Sequence, residues 1–248
     1  MQQELQLRFD DMVYTQKGNF LDLFDGTTTF VNNELARYYG VPEAAADMFH
    51  KVDLPAASQR VGLLGAGAIL AGHGYPQRTS PTARGKFINE MVLCRTVPPP
   101  PPGVPPFPEA AGTNTTARQR LTMHRTDPKC ASCHAVMDPI GFGLENFDTA
   151  ATFRTQDNGQ PVDASGDIDG FKFNNLAELG GALRKEAVAG PCFISKMYAS
   201  ALGRTPIELD GPALDRLAGL FASSGNHIDE LLVNLVTSDS FRFVEPSK

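Results

Sequence analysis

The chain has 248 residues, 42% of them hydrophobic and 20% charged, with a net charge of −6. That is enough apolar material for one large domain or two to three small ones. The acidic balance argues against a nucleic-acid binder, which would carry a basic patch or stripe. The longest apolar run, residues 61–71, has 11 residues, against about 20 needed to span a bilayer. The opening MQQELQLRFDD lacks the basic start and apolar stretch of a signal peptide. The expectation is either a cytosolic protein or part of a longer exported chain.

In chain order, Asn32 is placed to cap a helix over NNELARYYG, which Gly40 and Pro42 stop. Residues 58–71 are small and apolar and predict a helix weakened by Gly62, Gly65 and Gly67. In RTSPTARGKFINEMVLC, Ser80 is the cap and Pro81 the first helical residue. Residues 98–108 hold eight prolines in eleven positions, which predicts an extended, semi-rigid spacer. A short polar helix follows over 116–125. Residues 153–173 are rich in turn formers, and Asp157-Asn158-Gly159 signals a hairpin. Four helical patterns close the chain, at 174–186, 191–202, 211–223 and 228–237. The expected fold class is mainly α, with a helical module followed by one small β-hairpin and a C-terminal helical bundle.

Between the spacer and the hairpin lies DPKCASCHAVMDP. Cys130, Cys133 and His134 form C-x-x-C-H, the pattern of covalent c-type haem attachment. Cysteines three apart on a helix face the same side and can each bond one vinyl group. The adjacent histidine can then reach the iron. A zinc site using these three residues and His124 competes, although adjacent Cys133 and His134 are awkward for one tetrahedral ion. A redox dithiol would call for a βαβ context, which is missing.

The strings TTTFVNNELARYYG, RVGLLGAGAIL, RTSPTARGKFINEMVLC, HRTDPKCASCHAVMDPIGFGLENFDTAATFR, VDASGDIDG, YASALGR and LVTSDSFR together carry a resemblance. The chain resembles the C-terminal part of bacterial proteins built from domains of unknown function 1592, 1588 and 1585, often found beside cytochrome c domains. The resemblance implies the tail of the first module over 1–40, the second over 54–154 with the spacer 98–108, and the third over 162–242. It also implies haem c, a periplasmic or cell-surface location, a redox partner, and N-terminal modules in a longer chain. The expected function is a monohaem c-type module for electron transfer; the enzyme alternative runs only through the haem, as part of a larger oxidoreductase. The alternative is a structural or interaction module stapled by zinc.

The sixth iron ligand stays open. His73 and His124 are the histidine candidates, and Met123 is the methionine one. Met91, Met123 and Met197 also read as core residues. Met137 shares the helix of His134. The free N–H of His134 is expected to find a carbonyl or carboxylate, with the backbone near Asp138 and Pro139 available. Phe142, Leu144 and Phe147 read as pocket walls or core. Arg78 and Arg84 are candidate propionate partners. Asp163, Asp167 and Asp169 read as turn formers ahead of a calcium site. No G-x-S-x-G, Rossmann fingerprint or H-E-x-x-H is present. Cys94 and Cys192 occupy cysteine positions of the family pattern. In an oxidising compartment they would pair as a disulfide; otherwise they are two buried thiols.

Overall fold

The computed structural model describes residues 1–99, 102–103, 114–124, 126 and 128–243, the side chains of residues 123, 124, 128 and 129 excepted. Most of the proline-rich spacer lies outside the described residues. The fold is mainly α, with three two-stranded antiparallel sheets among the described residues.

The first module opens with α1 (Gln2–Asp10), which runs into a π-turn, and the short α2 (Asp22–Asp25). Strand β1 (Thr28–Val31) leads to α3 (Asn33–Tyr39) and β2 (His50–Asp53). Asn32 Oδ1 accepts from the Leu35 N–H at 3.0 Å, and Gly40 ends α3 at φ 69°. That is the cap and stop expected. The pairing of β1 with β2, Val31 opposite His50, is not: the segment reads as helical, and the partner strand lies across α3.

The expected helix over 58–71 is corrected. Only α4 (Gly67–Gly72) is α-helical, preceded by single 3₁₀ turns at Ala56–Ser58 and Leu63–Gly65. Gly62 sits at φ 55°, and a Cβ there would overlap the Phe24 carbonyl. The close passage of two backbones, not local helix propensity, sets the conformation.

Helix α5 (Pro81–Phe87) starts as expected, with Ser80 Oγ accepting from the Ala83 N–H at 3.2 Å, and continues through a π-turn to Val92. Helices α6 (Ala117–His124) and α7 (Pro128–Phe142) follow. The predicted hairpin is β3 (Gln156–Asp157) with β4 (Gln160–Pro161), turning at Asn158 and Gly159, both at positive φ. A second hairpin, β5 (Gly166–Ile168) with β6 (Phe171–Phe173), turns at Asp169 and Gly170 with the same signs. The single hairpin expected is therefore an undercount. Helices α8 (Leu176–Leu183), α9 (Ala189–Leu202), α10 (Gly211–Ser223), α11 (Ile228–Val236) and α12 (Asp239–Arg242) complete the chain.

One core joins segments far apart in sequence. It runs from Val13, Phe20 and Phe24 through Leu70, Ile88, Ile140 and Phe147 to Tyr198, Phe221 and Leu235. The Phe20 ring stacks on Phe193 at 4.4 Å, and Arg184 pairs with both Asp22 and Asp25 at 2.8 Å. Cys94 and Cys192 form a disulfide with Cα atoms 5.4 Å apart. It ties the end of the α5 segment to α9, and this resolves the alternative of two free thiols.

Candidate functional site

Cys130, Cys133 and His134 lie on the first two turns of α7, which begins at Pro128. Proline suits that first turn because its missing N–H has no helical partner there. The two cysteines are not disulfide-bonded and are half-buried. Their i, i+3 spacing puts both thiols on one side of the helix.

His134 is held from one turn further on. Its Nδ1–H donates to Asp138, 3.0 Å from Oδ2 and 3.1 Å from Oδ1. Asp138 is completely buried and also accepts from the Thr82 hydroxyl of α5 at 2.8 Å. A buried carboxylate needs such partners. The acceptor for the histidine is thus the Asp138 side chain, not the backbone carbonyls expected near 138 and 139. Thr82 and the carboxylate of Asp138 are the residues of this candidate site that the sequence alone did not single out. The signal for Asp138 was present, since an Asp four residues after a His on a helix shares its face.

The register that brings Thr82 to Asp138 depends on two glycines. A Cβ on Gly85 would overlap the Met137 carbonyl, and one on Gly141 would overlap the Pro81 carbonyl. Helices α5 and α7 therefore touch backbone to backbone, running antiparallel. Asn89 Nδ2 bridges them by donating to Gly85 O at 2.9 Å and Val136 O at 3.2 Å.

The other residues singled out are distributed more widely. Arg84 is 1% exposed and is corrected as a propionate partner. Its guanidinium donates to Glu145 Oε1 at 3.0 Å and to the carbonyls of Leu70, Leu144, Phe147 and Asp148. Burial pushes its pKa down, with Glu145 opposing that. Arg78 lies over the Tyr75 ring at 4.2 Å. His73 Nδ1 is 2.9 Å from Ile69 O, and its ring packs on Phe87 at 4.1 Å. It lies against the face of α5 that carries Arg84 and Phe87, whereas α7 meets the face of Thr82, Gly85 and Asn89. The structure thus does not bring His73 to His134. The side chains of Met123 and His124 lie outside the described residues.

Phe142, Leu144 and Phe147 are buried core residues, and Phe142 also lines an open cavity of about 340 Å³ with Arg118, Pro139 and Phe173. Met91 is 50% exposed, against its expected place in the core, while Met197 packs on it. Asp163 accepts from the Ser165 N–H, Asp167 from the Gly170 N–H, and Asp169 pairs with Arg95. The first two are the turn roles expected, and Asp169 takes one through its positive φ between β5 and β6. Among the described residues no three His, Cys, Asp or Glu side chains converge as a ligand set for a metal ion.

The family comparisons agree with this layout. Residues 1–41 match the family described as Protein of unknown function (DUF1592), residues 60–157 that of DUF1588, and residues 169–241 that of DUF1585. The chain thus carries three segments of unknown function in the order DUF1592, DUF1588 and DUF1585. No curated protein and no solved structure matches the chain. The C-x-x-C-H lies in the DUF1588 segment, and the disulfide links that segment to DUF1585. The module boundaries do not divide the core, which takes residues from all three.

The donor set fits covalently bound haem. Two unbridged thiols sit one turn apart, and the next residue is a histidine whose Nδ1 is already bound to a carboxylate. With Nδ1 so engaged, Nε2 would be the ring nitrogen to meet an iron.

Proposed function

We propose that this chain is a monohaem c-type module that passes electrons within an exported redox protein. The observation that carries the reading is the C-x-x-C-H turn of α7, with the histidine ring oriented through Nδ1 by buried Asp138. Cys130 and Cys133 would anchor the porphyrin by thioether bonds, and His134 would present Nε2 to the iron. Asp138 and Thr82 hold that ring. Haem held this way would supply one-electron chemistry, and the protein sets access and potential. The Cys94–Cys192 disulfide is consistent with an oxidising compartment, where covalent haem attachment takes place. The partner for such one-electron exchange would be another redox protein or domain.

The test is expression with an export signal alongside the haem maturation machinery. The expected product gains the mass of one haem, retains it on denaturation and shows a Soret band. Cys130→Ala with Cys133→Ala abolishes denaturation-resistant haem, and His134→Ala alters axial ligation. Stoichiometric zinc without a Soret band would overturn the reading in favour of a zinc-stapled structural module.

A further inference from the structure

Asp138 does more than fix a ring orientation. It places its carboxylate, at zero exposure, 3.0 Å from His134 Nδ1. A hydrogen bond to a carboxylate gives the imidazole more anionic character than one to a backbone carbonyl, and this raises its basicity as a ligand. The charge is shared. The Thr82 hydroxyl donates to Oδ1 at 2.8 Å and stands 3.5 Å from His134 Nδ1. Thr82 is on α5, and the Gly85 and Gly141 contacts hold it at that distance. A group on a second helix thus sets how much of the carboxylate is left for the histidine.

We infer that Asp138 is the positioning residue for His134 and that, with Thr82 as its counterweight, it lowers the reduction potential of haem bound there. This rests on the haem reading above. Charge donated through Nδ1 stabilises ferric over ferrous iron. Removing the charge favours the ferrous form. Removing the hydroxyl leaves the carboxylate wholly to His134 and favours the ferric form.

The experiment is a mediated redox titration of the holo-protein, read in the visible spectrum, for wild type, Asp138→Asn, Thr82→Val and Thr82→Ser. Asp138→Asn is expected to shift the ferric–ferrous equilibrium toward ferrous by about tenfold, which is about 59 mV for one electron. Thr82→Val is expected to shift it the other way by about threefold, and Thr82→Ser to retain the wild-type value. A merely structural Asp138 would not produce shifts of opposite sign. If Asp138→Asn yields no folded holo-protein, the Thr82 pair decides alone. Covalent haem with unchanged potentials, or shifts of one sign in both variants, overturns this inference. Wild type without covalent haem overturns the reading beneath it.

Discussion

Arg84 and Glu145 meet at 3.0 Å in the interior, with side chains 1% and 4% exposed. Arg154 Nη2 reaches the other carboxylate oxygen at 3.0 Å, and the Thr79 hydroxyl donates to it at 2.6 Å. Burial pushes the Glu145 carboxyl upward, and the two guanidinium groups and Thr79 oppose that by favouring its charged form. Glu145→Gln removes the charge and leaves the buried Arg84 guanidinium uncompensated. The expected loss is about 3–5 kcal/mol of unfolding free energy, measured by urea denaturation. A loss below about 1 kcal/mol would match an exposed pair and count against this account.

The contact of Gly85 with the Met137 carbonyl leaves no room for a methyl group. Gly85→Ala must push α5 from α7 and lengthen the Thr82–Asp138 bond. The expected cost is about 3 kcal/mol, at the upper end for overpacking. Gly181→Ala on α8 is the control, because a Cβ there meets nothing within 4 Å. Comparable melting temperatures for the two variants would refute the close contact.

The disulfide closes a loop of 98 residues. In the chain-entropy account such a cross-link contributes about 4–5 kcal/mol by restricting the unfolded chain. Cys94→Ser with Cys192→Ser should therefore lower the urea midpoint clearly. Reductant should lower that of the wild type and leave the double variant unchanged. Equal midpoints with and without reductant in the wild type would show that the bond contributes nothing.

Asp210 gathers the side chains of the YASALGR string. Arg204 holds both its oxygens, at 2.6 and 2.8 Å, and the Ile207 N–H and Tyr198 hydroxyl donate at 2.8 Å. The Arg204 guanidinium, and then the Ile207 N–H, hold its carboxyl well below the usual carboxylate range. The unfolded chain takes up this proton near the ordinary Asp value, about 3.9, while the folded protein does not. The contribution to stability is thus full above about pH 4 and is lost as pH falls toward the folded value. Wild type should melt above Asp210→Asn at neutral pH, and thermal melts should show the gap closing below about pH 4. A gap that stays constant into acid would rule this out.

The sequence by itself determined the local features. Asn32 and Gly40 bound α3, Ser80 and Pro81 start α5, and Asn158-Gly159 turns the first hairpin. Each depends on one residue's own dihedral preference or on a side chain bonding within its own turn. The spacing of Cys130, Cys133 and His134 is of the same kind, and the hairpin at Asp169-Gly170 was equally legible. The tertiary structure decided what neighbours in space impose. Gly62 breaks the expected helix because the backbone of residue 24 passes against it. β1 finds β2 across α3, and Arg84 is drawn inward by acceptors 14 to 64 residues away. It also decided that Cys94 and Cys192 are bridged rather than two free thiols, and it gave His134 a carboxylate shared with a second helix. Steric exclusion and the need to pair buried polar groups act between segments, so no local window of sequence contains them.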